Sequence, residues 1–166
     1  MLDNKIRLQY QSLELLNVLC MQLGNDILMI QTCVKIGLPS ELSSLKQAER
    51  FIQELVSDYK ICQKRYSDIL VAVSAAVSNA IHYGHKEHSP RLFYVEFNLI
   101  EERYLKFVIS DSGKGFDYNN VPDPTDPNIE EQRGGRGIYL MRKLSDNCTF
   151  KKNGSEVILE FELGCS

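Results

Sequence analysis

Hydrophobic residues recur along this chain with helical spacing in some stretches and as β-rich runs in others. Apolar positions three or four residues apart predict helices over 6–23, from Ser40 or Ser43 through Val56, and from Ser67 to about Tyr83. Runs of β-branched and aromatic residues predict strands over 31–38, 91–99, 104–110, 148–152 and 156–162. A shorter helix is predicted over 137–144. The order after the first helix is therefore β-α-α-β-β-α-β-β.

The connections between these elements indicate the fold class. Residues 100–103 and the Asn153-Gly154 pair are predicted hairpin turns. Strands joined by hairpins, with few helices between them, predict an α/β (α+β) two-layer sandwich whose mixed, mainly antiparallel sheet carries helices on one face. The polar segment 117–135 contains three of the five prolines, and we expect it to be a lid.

Length and charge limit the classes of function. The 166 residues, 43% of them hydrophobic, are enough for one domain with a sizeable core. A net charge of −3 argues against nucleic-acid binding, which normally requires a basic surface. The apolar stretch 13–34 is interrupted by charged and amide residues, so we expect neither a membrane span nor a signal peptide. We therefore expect a cytoplasmic protein.

The cysteines and histidines do not predict a metal site. The five cysteines are scattered and include no Cys-x-x-Cys pair, which favours reduced thiols over a disulfide or zinc framework. His82, His85 and His88 are spaced by three, but Gly84 and Pro90 indicate that the helix is ending there. We therefore do not expect these histidines to bind zinc.

One glycine-bearing segment has the groups needed to hold a nucleotide base. Asp111 follows the predicted strand 104–110, so its carboxylate would lie at a strand end, where it can accept the exocyclic amine of adenine. Gly113 and Gly115 permit positive φ and a close approach of the backbone to a base.

A second segment and a helix have the groups needed to hold phosphates and a metal ion. Gly135 and Gly137 are predicted to open a helix near Ile138, leaving free amide N–H groups beside phosphate oxygens. The Arg136 guanidinium can reach a γ-phosphate. Asn79 offers a neutral oxygen ligand to Mg²⁺. Taken with the first segment, these residues predict an ATP site built without a phosphate loop.

Three motifs in this order resemble a known family. Asn79-Ala-Ile-His82, Asp111-x-Gly-x-Gly115 and Gly135-Arg-Gly137 are similar to the N, G1 and G2 boxes of the GHKL ATPase superfamily. Phe116-Asp117 and the stretches 121–127 and 137–141 further resemble the bacterial anti-sigma-factor serine kinases. The resemblance runs from about 34 to 163. It implies an ATP-binding domain over 31–166, with residues 1–30 as an additional N-terminal helix.

The resemblance also implies cofactors and site residues. ATP and Mg²⁺ are the implied cofactors, with Asn79 as the metal ligand. His82 joins the cofactor-binding set as part of the N box. Ser155 stands where the family usually has threonine after a glycine, so its hydroxyl is expected near the adenine.

One position departs from the family pattern. The family has a glutamate one helical turn before the N-box asparagine, where it acts as the general base. Here that position is Ala75. A methyl group cannot accept a proton, and general-base catalysis contributes about 10²–10⁴-fold to rate. We therefore expect nucleotide binding to survive, with turnover in doubt.

These observations leave two main hypotheses of function. The resemblance implies a serine kinase that binds a sigma factor and phosphorylates an anti-sigma antagonist, acting as a homodimer. The alternative is an ATP-responsive binding switch that has lost the kinase step through Ala75. A histidine-kinase fragment is disfavoured because no phospho-acceptor helix pair precedes the domain. The apolar side of the helix 6–23 is expected to pack on its own domain or to form a dimer contact.

Overall fold

The described part of the chain contains five β-strands and three α-helices. A computed structural model describes residues 33–57, 59, 61–83, 92–101, 103–125 and 135–164, so the predicted helix 6–23 lies outside the described residues. The strands are β1 (Cys33–Pro39), β2 (Leu92–Ile100), β3 (Tyr104–Asp111), β4 (Asn147–Lys151) and β5 (Glu156–Glu162). The helices are α1 (Leu42–Ser57), α2 (Gln63–Tyr83) and α3 (Arg136–Leu144).

The five strands form one sheet in the order β1-β2-β3-β5-β4. Each neighbouring pair is antiparallel. The predicted hairpin between β2 and β3 closes through the Arg103 N–H, which donates to the Ile100 carbonyl at 3.0 Å. The two-layer sandwich with a mainly antiparallel sheet is thus confirmed.

The core lies between the three helices and one face of the sheet. Alternate strand residues point into it and are almost fully buried, among them Val34, Ile36, Leu38, Phe93, Val95, Phe97, Leu105, Phe107, Ile109, Leu159 and Phe161. Phe107 packs between Phe97 and Phe161, with ring centroids 5.3 and 6.2 Å away. Each buried phenylalanine contributes about 2 kcal/mol by leaving water.

The other face of the sheet carries charged pairs between neighbouring strands. Lys35 lies 3.5 Å from Glu96, and Lys106 lies 3.9 Å from Glu160. All four side chains are partly exposed, so these pairs contribute little to stability. The helices therefore cover a single face, as the hairpin-linked strands with few helices between them predict.

One predicted helix boundary is wrong. The sequence places the start of α2 near Ser67. The helix instead begins at Gln63, and the Ser67 hydroxyl donates to the Gln63 carbonyl at 3.0 Å. A serine inside a helix can bond back to the preceding turn, so its presence does not define a helix start.

The turn between β4 and β5 is longer than the predicted two-residue hairpin, because Lys151 pairs with Glu156 and residues 152–155 lie between them. Residues Lys152–Gly154 form a short 3₁₀ turn in which Lys152, Asn153 and Gly154 all have positive φ. Such φ values are uncommon outside glycine. The turn matters because it lies against the segment that follows β3.

The described cysteines only partly match the expectation of reduced thiols. Cys148 is a free thiol, whereas Cys62 is disulfide-bonded, which the sequence does not predict. Burial raises the pKa of the Cys148 thiol to about 11, so this group stays protonated at neutral pH. None of the helices described is both long enough and apolar enough to cross a membrane.

Candidate functional site

Two adjacent cavities lie where α2, α3 and the end of β3 meet. The smaller has a volume of about 20 Å³ and is lined by residues that include Asp111, Gly115 and Ser155. The larger has a volume of about 220 Å³ and is lined by residues that include Gly135, Gly137 and Ile138. Asn79, Tyr83 and Phe116 line both. The structure therefore gathers residues from all three motifs around one region.

Asp111 and Ser155 meet at the smaller cavity because β3 pairs with β5. The Asp111 N–H donates to the Ser155 carbonyl at 3.0 Å. The Asp111 side chain is oriented by the Gly113 N–H, which donates to Oδ1 at 2.7 Å. The Ser155 hydroxyl is nearly buried and donates to the Lys152 carbonyl at 2.9 Å. A carboxylate held in this way can act as a fixed acceptor.

The backbone conformation at position 115 and a close neighbouring carbonyl group, rather than a ligand, require a glycine there. Its φ is +72°, and a Cβ placed on it would lie 2.0 Å from the Asn153 carbonyl oxygen. The next residue, Phe116, donates its N–H to that same oxygen at 2.7 Å. From the sequence, both a positive φ and a close approach to a base are expected at this glycine, and the positive φ is confirmed. The group that it approaches in the structure is the turn between β4 and β5.

The N-terminus of α3 opens into the larger cavity. Gly135 has φ +87°, and a Cβ there would lie 2.4 Å from the Pro122 carbonyl oxygen. The Tyr139 N–H donates to the Gly135 carbonyl at 2.9 Å as the first bond of the helix. The preceding N–H groups of the first turn have no partner within the helix.

This helix end suits an anion. Among the residues that the structure describes, no side chain caps it, and its first turn contains no acidic residue. The free N–H groups and the helix dipole both favour negative charge. The helix begins at Arg136 instead of near Ile138, so Arg136 and Gly137 belong to the first turn.

Asn79 faces this helix end from α2. A Cβ on Gly137 would lie 3.1 Å from Asn79 Oδ1, so the absence of a side chain at Gly137 lets the two helices approach. Within the described ranges, no hydrogen bond engages the Asn79 amide. Its oxygen remains available beside the cavity, which fits the oxygen preference of Mg²⁺.

Four predicted site residues, Gly113 among them, lie outside the cavity linings. Ala75 is partly buried and packs against the core, one turn before Asn79. His82 is exposed, and its Nδ1 lies 2.7 Å from the Ser78 carbonyl oxygen of its own helix. Arg136 is exposed and makes no hydrogen bond or salt bridge to any residue that the structure describes. A longer side chain is needed at position 75 to reach the cavities.

Of the three histidines spaced by three residues, only His82 lies within the described residues. His85 and His88 lie outside the described residues. Across the described ranges, no three histidine, cysteine or acidic residues form a group that could hold a metal ion.

Sequence reasoning missed several aromatic residues of the site. Tyr83 is 68% exposed and lines both cavities. Its position four residues after Asn79 places it on the same helix face, so this signal was present in the sequence. Phe116 follows Gly115 directly, so its place beside the motif could also have been read from the sequence. Phe150 lies far along the chain, and no local pattern marks it.

The smaller cavity is too narrow for a purine as it stands. A volume of about 20 Å³ holds about one water molecule. Phe116, Met141 and Phe150 are among the residues that line it. A purine at Asp111 therefore needs more space than this cavity holds, and the adjacent larger cavity, with a volume of about 220 Å³, can supply it.

Comparisons with known proteins identify the fold and the family. The model of the histidine kinase-like ATPase domain matches residues 38–161. The serine-protein kinase RsbW of Staphylococcus aureus strain JH9 is 37% identical over 95 residues, covering 52% of this chain and 59% of that protein. The RsbW of strain Newman gives the same values. This chain therefore matches about three-fifths of the length of these relatives.

A solved structure supports the same fold. The crystal structure of the RsbU and RsbW domains of a Mycobacterium tuberculosis protein superimposes with a TM-score of 0.55 at 14% identity. The match covers 78% of this chain and 31% of that one. At this identity the likeness concerns the fold alone.

The backbone contact at Gly115 generates a stability prediction. Gly115→Ala combines a positive φ with an overlap against the Asn153 carbonyl, so we expect a loss of about 2 kcal/mol or more in unfolding free energy. Gly164→Ala is the matched control, because a Cβ there meets nothing within 4 Å. Urea unfolding of both variants is the measurement. Equal midpoints would show that the segment after β3 does not rest on Asn153.

Proposed function

The chain belongs to the histidine kinase-like ATPase domain family, and we propose that it binds ATP with Mg²⁺ in the two adjacent cavities. The observation that carries this proposal is the uncapped N-terminus of α3. It faces the same cavity as Asn79, and this cavity adjoins the one that contains Asp111. An anion-binding helix end and a base acceptor thus suit the two ends of one nucleotide.

The orientation of the nucleotide follows from these groups. The adenine amine lies at Asp111, with the Ser155 hydroxyl nearby, and the phosphates lie at the N–H groups of Arg136, Gly137 and Ile138. Asn79 holds Mg²⁺ through its amide oxygen. The metal ion, when bound, neutralises part of the phosphate charge. The exposed Arg136 guanidinium has no competing partner among the described residues, so it can turn toward the γ-phosphate.

We propose that the protein acts as a serine/threonine kinase toward a partner protein. Its relatives are named serine-protein kinases, which supports this activity. By the resemblance of its motifs to the anti-sigma-factor serine kinases, the proposed partners are a sigma factor and an anti-sigma antagonist, and the proposed form is a cytoplasmic homodimer. Phosphoryl transfer depends mainly on positioning and on charge stabilisation, which the α3 N-terminus and Arg136 can provide.

The alternative is an ATP-responsive binding switch without kinase activity. Ala75 favours this function, because a methyl group can neither deprotonate nor orient the attacking hydroxyl. The two functions share the nucleotide site. They differ in whether phosphate moves to the partner.

The role of Asp111 is tested by Asp111→Asn. Since the Gly113 N–H donates to Oδ1, the asparagine carbonyl keeps that bond and the NH₂ group replaces the other oxygen. Two donors then face each other at the adenine amine, and we expect ADP affinity to fall about 10- to 100-fold. Calorimetry with ADP and Mg²⁺ measures this.

Asp68→Asn is the control for the Asp111 variant, because it makes the same change on α2 at a residue that lines neither cavity. Equal affinities of the Asp111 and Asp68 variants would remove Asp111 from the site.

The missing base is tested by Ala75→Glu. Position 75 is one turn before Asn79, and a glutamate there is long enough to approach the cavities from the helix surface. We expect phosphate transfer to a purified antagonist, or ATP hydrolysis without one, to rise about 100-fold with little change in ADP affinity.

Ala75→Gln separates basicity from size in this experiment. The glutamine has nearly the same shape and cannot take a proton, so its rate should stay close to that of the unmodified protein. If the glutamine variant raises the rate as much as the glutamate variant does, the increase in rate comes from packing rather than from basicity. If the unmodified protein already matches the glutamate variant, another group is the base.

A further inference from the structure

The loop 116–122 forms one wall of the larger cavity, and α3 holds this loop at two points. At the N-terminus of α3, Gly135 approaches the Pro122 carbonyl so closely that a Cβ would overlap it. Near the other end of the helix, Arg142 Nη2 donates to the Tyr118 carbonyl at 2.9 Å. The two points lie about 10 Å apart along the helix axis.

Aromatic rings fix the same loop to β4. The Tyr118 ring stacks on Phe150, with centroids 5.0 Å apart and planes at 17°. Phe116 meets Phe150 edge-on, with centroids 6.0 Å apart. The Arg142 guanidinium lies 5.7 Å from the centroid of Phe150. Arg142 thus touches both the loop backbone and the ring on which the loop rests.

The loop in turn shapes the nucleotide cavities. Phe116 lines both of them, and Asn120, Val121 and Pro122 line the larger one. Arg142 lines neither cavity. Any effect of Arg142 on a ligand must therefore pass through the position of the loop.

We propose that Arg142 is a positioning residue for the nucleotide site. Together with Tyr118 and Phe150 it forms a clamp, the Arg142 clamp, that holds the loop 116–122 in the cavity wall before a ligand arrives. Preorganisation of this kind favours binding because the ligand does not have to order the loop itself. The effect on affinity rests on the proposed function, whereas the effect on the loop does not.

Arg142→Ala removes the clamp from an exposed position on α3. We expect the affinity for ADP with Mg²⁺ to fall about three- to tenfold, as for the loss of one charge-assisted hydrogen bond at a surface. Lys143→Ala is the matched control, since it removes the same charge from the next residue of the helix, where no hydrogen bond joins it to the described part of the chain. Tyr118→Phe keeps both the ring and the carbonyl and should bind like the unmodified protein.

Hydrogen exchange without nucleotide gives a readout that does not depend on ATP binding. In Arg142→Ala the amides of 117–121 should exchange several-fold faster, while the urea midpoint stays unchanged. Unaltered exchange together with an affinity equal to that of Lys143→Ala would overturn the clamp. If the unmodified protein binds no nucleotide, the proposed function is wrong. The exchange rates alone then show whether Arg142 holds the loop.

Discussion

Close packing of α2 on the sheet is the constraint on which the rest of the structure depends. Ala72, Ala76 and Ala80 recur every four residues and are 0%, 2% and 3% exposed, so small side chains form the contact face of the helix. Ala76 and Ala80 also line the smaller cavity. The same face brings Asn79 beside Gly137 of α3, where a Cβ would stand 3.1 Å from its oxygen. The depth at which α2 packs therefore sets the geometry of the site.

Close contacts of the backbone hold the segments around that helix. Gly115, in the segment after β3, packs against the turn between β4 and β5. Gly135, at the N-terminus of α3, packs against the Pro122 carbonyl. Both glycines have positive φ and would place a Cβ against a carbonyl oxygen. These contacts link three distant stretches of chain into one wall. The motif glycines thus have a structural role beside any contact with a ligand.

Much of the fold and the site could be predicted from the sequence, because the predictive patterns are local. The β-rich runs predicted strands β2 and β3, and the three motifs meet around the two cavities. The start of α2 could not be predicted, since Ser67 bonds back to Gln63 instead of capping the helix. Neither could Phe150, which reaches the site only through the pairing of β4 with β5. The narrowness of the smaller cavity likewise depends on packing between distant residues.

The central claim is that one nucleotide spans both cavities, with its phosphates at α3. Amide spectra of ¹⁵N-labelled protein, recorded while ADP and Mg²⁺ are added, test this most directly. The account predicts that the resonances of Gly115, Gly135 and Gly137 shift in a saturable way, while those of Lys35 and Lys106 on the open face of the sheet stay in place. Unshifted glycine resonances at millimolar ADP, or larger shifts on the open face, would contradict it.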